Sequence, residues 1–299
     1  MRNASALFRF VAQMIAVGVL VGGCGQAIPV KNADAVPGAG PTQDLYGEPL
    51  RAPAGAPGEP VAAGAGGNRQ FVAASGQNPA TLPAGSIYRN PANGRQEVIV
   101  EDSQRMAVLI GDSQSQPPHG WPRQALAAAG YKVFFCGLGG TGFVAANGNT
   151  GNYLTALQRG DWRLPSGEPP LVVIQGGGND AARGATDAQI TSNAGQLIDT
   201  LRERYPASEI AMIGTLARGA NDGGGRRSQV DALLGTIAAK HGIPFVSVGD
   251  WLTRYHLTGM LADGVHLNVQ GHNELGKVLG KTFKALGIEA EQAETSSGH

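Results

Sequence analysis

Cysteine is almost missing from this chain, since among 299 residues only Cys24 and Cys136 occur. Two cysteines allow at most one bridge, so the protein is not a disulfide-stapled scaffold. An excess of one charge is missing as well: 23 Lys and Arg balance 23 Asp and Glu, and no Lys/Arg block appears beyond the first residues. The usual electrostatic basis for holding nucleic acid or an anionic membrane surface is therefore absent. The apolar run Val11 to Val21 is too short for a comfortable bilayer span. No long apolar lid is visible either, so the chain length of any bound apolar group stays open. The histidines His256, His266 and His272 with Asp263 match no standard metal-ligand spacing, and no cofactor motif is present.

What is present divides the chain into parts. Arg2 and Arg9 lie around a short basic start, the apolar stretch Val11 to Val21 follows, and small residues come next. Residues 1–23 therefore read as an export signal. Its end, Val21-Gly22-Gly23-Cys24, resembles a bacterial lipobox, which implies lipidation at Cys24 and a membrane-anchored mature protein; a plain secretory signal or an uncleaved anchor is the alternative. With Cys24 lipidated, Cys136 has no disulfide partner, and it reads as a small buried hydrophobe rather than a nucleophile. From Gly25 to about Gly85, Ala, Gly and Pro dominate, a composition that cannot offset its ordering entropy. Residues 24–103 are thus expected to be a tether, with Gln96 to Val100 a candidate edge strand after the turn Pro91-Ala92-Asn93-Gly94. The packed domain is expected over 104–288 and a disordered tail over 289–299.

Within the domain, strand-like runs at about 106–110, 131–135, 171–175, 209–215 and 243–248 alternate with helix-like segments at about 121–129, 187–204, 226–241 and 271–286. That alternation predicts an α/β fold with a parallel five-stranded sheet covered on both faces. Val230, Leu233, Leu234 and Ile237 recur at helical spacing and read as core. Trp121-Pro122 reads as a helix start, because Pro is tolerated in the first turn. Trp162 and Trp251 fit either a cleft or the core. Asn221-Asp222-Gly223-Gly224-Gly225 reads as a mobile substrate loop or as a plain connector.

Four short segments carry chemistry: Gly111-Asp112-Ser113, Gly139-Gly140-Thr141-Gly142, Gly177-Gly178-Asn179-Asp180 and Asp263-Gly264-Val265-His266. The first three each follow a strand-like run, and the C-terminal ends of strands are where open α/β sheets gather functional loops. A Ser hydroxyl is a weak nucleophile until a base takes its proton, and a neutral imidazole is the usual base. The imidazole in turn needs a carboxylate that fixes its tautomer. Asp263, three residues before His266, sits at a spacing that lets one turn present both side chains to one side. Charge developing on a tetrahedral intermediate also needs preset donors. Each motif alone is a common turn sequence; their conjunction in this order is what points to a serine hydrolase acting on esters.

In this order and spacing the segments resemble the four blocks of the SGNH branch of GDSL-type esterases and lipases, over roughly residues 104–288. The resemblance implies a flavodoxin-like three-layer α/β/α sandwich. It makes Ser113 the nucleophile and Asp263 and His266 its acid and base partners. It also makes the Ser113 N–H, the Gly140 N–H and the Asn179 amide the oxyanion hole, with Gly139 the alternative if the second block is aligned one residue earlier. One departure is plain: Gln114 stands where the family label has Leu. The expected activity is hydrolysis of an acyl or acetyl ester of a small molecule, lipid or glycan. Transfer of the acyl group to a sugar or lipid hydroxyl by the same groups is the alternative.

Overall fold

The computed structural model describes residues 78–291. The expected signal, Cys24, most of the tether and the last residues of the tail lie outside that range. In chain order the elements are β1 (Ile87–Arg89), β2 (Gln96–Val98), β3 (Met106–Gly111), α1 (Trp121–Ala128), β4 (Lys132–Gly137), α2 (Tyr153–Arg159), β5 (Leu171–Gln175), α3 (Gly178–Ala182), α4 (Asp187–Arg204), β6 (Glu209–Ile213), α5 (Gly225–His241), β7 (Phe245–Val246), α6 (Trp251–Arg254) and α7 (Val269–Ala285). Five of the strands form one parallel sheet in the order β4-β3-β5-β6-β7.

Strict alternation of side chains along a strand explains why these strands read as continuous apolar runs. On β3, Val108 and Ile110 face a core shared with Tyr153, Ile190, Leu197, Val230 and Leu234 from α2, α4 and α5. Ala107 and Leu109 face the opposite core with Trp121, Leu126, Trp251, Leu275 and Phe283 from α1, α6 and α7. Both faces are covered, which is the three-layer α/β/α sandwich expected. Trp121 opens α1 with Pro122 behind it, and Trp251 belongs to the core rather than to a cleft. Trp162 packs at the margin of the other core. Among the described residues no helix is long and apolar enough to cross a membrane.

Three differences from the expected elements have physical causes. The short helices α2, α3 and α6 span too few residues to leave a clear apolar period. The fourth strand of the sheet stops at Ile213 instead of 215, where the Asp231 carboxylate of α5 takes the Thr215 N–H at 2.9 Å and the Val248 N–H at 3.1 Å in place of a neighbouring strand. The candidate edge strand is corrected: Gln96–Val98 pairs with Ile87–Arg89 in a separate antiparallel hairpin and does not join the main sheet. Val98 bonds instead to the segment before β5, through Val98 N–H to Leu164 O at 3.0 Å and Ser166 N–H to Val98 O at 2.8 Å. The hairpin is pinned there by the buried pair Arg204–Glu97 at 2.8 Å, whose carboxylate also accepts from the side-chain amides of Asn90 and Asn93. Removing one member would leave the other charge buried and unpaired.

Candidate active site

The three motif-bearing strands β3, β4 and β5 are neighbours, so their C-terminal ends deliver the first three segments to one rim of the sheet. The order in which the parallel strands are added reverses about β3, and such a switch point is where open α/β sheets bind ligands, beyond the C-terminal ends of the strands. On the other side of β3, Gly137 at the end of β4 has φ +150°, and a Cβ there would overlap the Gly111 carbonyl. Only glycine lets the two strand ends come this close.

Ser113 follows β3 in a tight turn closed by Ser115 N–H to Asp112 O at 3.0 Å and Gln116 N–H to Asp112 O at 2.9 Å. His266 arrives from the other end of the sequence, and its Nε2 lies 2.8 Å from Ser113 Oγ. Its Nδ1 lies 2.8 Å from Asp263 Oδ2. The other carboxylate oxygen, Asp263 Oδ1, accepts from the backbone N–H of Val265 and of His266, both at 2.7 Å. Partial burial works to raise the Asp263 pKa, but these hydrogen bonds and the imidazole outweigh it and hold it down at about 2. Asp263 is thereby kept ionised across the working pH range, which fixes the proton of His266 on Nδ1 and leaves Nε2 free to accept from Ser113.

Three donors near Ser113 are the candidates for an anion-binding side. Among the described residues neither the Ser113 N–H nor the Gly140 N–H has an acceptor, whereas the Gly139 N–H is committed to Gln116 Oε1 at 2.6 Å. That arrangement favours Gly140 over Gly139. Gly140 has φ +79°, and a Cβ would press on Asn147 Nδ2 at 2.9 Å, so the turn that exposes its N–H requires glycine. Asn179 Nδ2 donates to Thr141 O at 2.9 Å and makes only a long contact, 3.4 Å, to Asp112 Oδ2. One N–H is an anchor. The other is held weakly enough to turn to a stronger acceptor.

Several groups around this site were not anticipated. Asp180 is fully buried and accepts from Phe143 N–H at 2.9 Å, Val144 N–H at 2.7 Å and Ala145 N–H at 2.8 Å, wrapping the loop that carries Gly140 onto the loop that carries Asn179. Asp112 is also buried, and that burial pushes its carboxyl up to about 6 against the Gln114 N–H, Arg227 and Gln175, which favour its charged form. Gln175, whose amide Oε1 accepts from the Gly176 N–H at 3.1 Å, donates from Nε2 to Asp112 Oδ1 at 3.1 Å and Ser115 Oγ at 2.6 Å. Arg227 donates from Nε to Leu216 O at 3.1 Å, beneath the Gly177–Asn179 turn. Asp112 and Asp180 were within view as neighbours of Ser113 and Asn179; nothing local marked Gln175 or Arg227. Cys136 is buried, its Sγ 3.6 Å from the Arg163 carbonyl, and burial pushes its thiol up, so it holds no thiolate. In the 221–225 loop Gly224 is buried and its N–H bonds Gly219 O at 2.8 Å, the other four residues are exposed, and Arg226 beyond it pairs with Asp187 at 2.6 Å.

Residues 106–273 match the GDSL-like Lipase/Acylhydrolase family, a match over more than half of the sequence. The chain belongs to that family. Among curated proteins it is similar to a multidomain esterase of Ruminococcus flavefaciens, 29% identical over 135 residues, which are 44% of this chain and 17% of that protein. The chain thus spans about a sixth of that relative's length. Among solved structures it is similar to a family two carbohydrate esterase from Clostridium thermocellum, with TM-score 0.48 and 14% identity over 62% of this chain and 64% of that one. It is also similar to Est24, a carbohydrate acetylesterase from Sinorhizobium meliloti, with TM-score 0.45 and 21% identity over 60% of this chain and 99% of that one.

Proposed function

We propose that the protein is a carboxylic ester hydrolase that works through an acyl-enzyme on Ser113. The observation that carries this reading is the unbroken relay Asp263–His266–Ser113, both links 2.8 Å, with the Ser113 and Gly140 N–H groups finding no acceptor among the described residues. In the first half-reaction Ser113 Oγ attacks the ester carbonyl carbon while His266 Nε2 takes the hydroxyl proton. The oxyanion is received by the N–H groups of Ser113 and Gly140 and by Asn179 Nδ2. The intermediate collapses, His266 gives the proton to the departing alcohol, and the acyl group remains on Ser113. Water then repeats the sequence, with His266 as base, and the carboxylic acid leaves.

Acyl and acetyl esters of a small molecule, lipid or glycan are the substrate class. Water is favoured as the acceptor over a sugar or lipid hydroxyl because the base is open: the side chain of His266 keeps 42% of its surface and that of Asp263 50%. An acyltransferase is better served by a site that excludes water. The test is a panel of esters of graded acyl length, run with and without an alcohol acceptor, on wild type and Ser113→Ala. Loss of all turnover in Ser113→Ala and no acceptor-dependent ester product are the expected results; turnover that survives Ser113→Ala overturns the reading.

We further propose that the chain is exported and anchored through lipid on Cys24, with Gly25 to about Gly85 as a tether. The Val21-Gly22-Gly23-Cys24 pattern supports this, and two or more acyl chains would give stable anchoring where one would not. Cys24→Ser should release the protein from membranes with its esterase turnover unchanged; retention would favour an uncleaved anchor.

A further inference from the structure

Gln114 stands directly after the serine, where the family label has Leu, and it is buried, with 3% of its surface exposed. Its side chain joins two parts of the molecule. Gln114 Nε2 donates to the Val265 carbonyl at 3.1 Å, and Gln114 Oε1 accepts from Trp121 Nε1 at 3.2 Å. The orientation is unambiguous, because an indole N–H only donates and a carbonyl only accepts. Trp121 is itself fully buried at the start of α1, and its backbone N–H donates to His272 Nδ1 at 3.2 Å. His272 lies in the first turn of α7, which begins just after His266. The Gln114 amide therefore ties the backbone before His266 to the same buried tryptophan that holds the helix after it.

The loop that carries Asp263 and His266 has few other ties. Residues 262–265 are all exposed. Among the described residues, two hydrogen bonds join the turn at residues 112–116 to it: Ser113–His266 and Gln114–Val265. The first is the contact that the chemistry breaks, since Ser113 Oγ becomes an ester oxygen and His266 Nε2 must turn to the leaving alcohol and then to water. The second is untouched by any step.

We propose that Gln114 is a positioning residue that holds His266 at the reacting centre while the Ser113–His266 bond is absent. This rests on the proposed roles of Ser113 and His266. A Leu at 114 would fill the space but could bond neither Val265 nor the Trp121 indole, leaving the loop with only the reacting contact and its own internal bonds. A base displaced by a fraction of an ångström to an ångström loses most of its effect.

The experiment is kinetic. Gln114→Leu should lower kcat about 10- to 100-fold while KM changes less than about threefold, and it should slow labelling of Ser113 by a fluorophosphonate by a similar factor. Gln114→Glu gives the second measurement, because a protonated carboxyl can donate to the Val265 carbonyl and an ionised one cannot. The ratio of its kcat to that of wild type should fall as pH rises and the introduced carboxyl ionises. A purely space-filling role would leave that ratio flat. Wild-type kcat and labelling in Gln114→Leu, or a flat ratio in Gln114→Glu, overturns the proposal; if Gln114→Leu does not fold, the pH series decides. Failure of the underlying functional reading would look different: turnover would then survive Ser113→Ala whatever residue 114 is.

Discussion

Ser113 and His266 touch at 2.8 Å yet stand on unlike foundations. Ser113 follows a strand buried along its whole length, in a turn set by Asp112, with Gln175, Asp180 and Arg227 packed underneath. Asp263 and His266 lie on a loop that faces solvent and is held mainly by bonds within itself, such as Ala262 N–H to His266 O at 2.8 Å. The proposed nucleophile and oxyanion donors are thus placed by the core, while the proposed acid–base pair is placed by local geometry and one long-range amide. Each kind of damage should therefore appear in a different measurement. Changes on the loop should cost proton transfer and leave the fold whole; changes under the serine should cost stability as well.

The largest effect is expected on the loop side. Asp263→Asn removes the charge that fixes the His266 tautomer, and comparable changes cost about 10⁴ in turnover. Because Asp263 is half exposed, the unfolding midpoint should barely move. A joint loss of turnover and stability would blur the contrast between the two sides.

Asn179→Ala comes next. Its Nδ2 is one of three proposed oxyanion donors, so kcat should fall by about 10² to 10³ with a smaller change in KM. The acyl-enzyme should still form, only slowly. Full turnover would remove Asn179 from the hole.

Asp180→Ala tests the buried side directly. It leaves the N–H groups of Phe143, Val144 and Ala145 without their acceptor, and burying such donors unpaired should cost about 3 kcal/mol or more of unfolding free energy. Urea unfolding reads this. A stable, slow Asp180→Ala variant would mean that the carboxylate matters only for the loop's shape.

The smallest and most conditional effect is on pH. Burial raises Asp112 from 3.8 to about 6. The folded state therefore binds that proton more tightly than the unfolded chain does, so the associated stability is complete below about pH 3.8 and is lost as pH rises to about 6. His272 runs the other way: burial lowers its pKa from 6.5 to about 4, helped by His119 and His266, so stability falls as pH drops from 6.5 towards 4. The two can be separated by difference. The unfolding free energy of wild type minus that of Asp112→Asn should decline between about pH 4 and pH 6, by at most about 3 kcal/mol, and be flat above. A difference independent of pH would mean that Asp112 titrates at its ordinary value.

The contrast between the two regions also explains what could be read in advance. The sheet was legible because β3 and β5 are buried on both faces and so appear as unbroken apolar runs, Met106–Ile110 and Leu171–Ile174. The site residues were legible because their chemistry sits in short local motifs, Asp263 and His266 being only three apart. What stayed hidden depends on contacts between distant residues. Glu97 and Arg204 pin the hairpin across 107 positions of sequence, and Gln114 reaches Val265 across 151. Asp231 ends β6 from a helix, and no period in Glu209–Thr215 records that. Polar side chains bonded to distant backbone leave no mark on hydrophobic spacing.

Whether Ser113 is the nucleophile served by His266 is decided by locating a covalent adduct. A fluorophosphonate added to the purified protein, followed by intact-mass and peptide analysis, should give one adduct per chain on Ser113 in wild type, a much slower adduct at the same residue in Asp263→Asn, and none in Ser113→Ala. Labelling that persists in Ser113→Ala, or that maps to another residue in wild type, would place the nucleophile elsewhere.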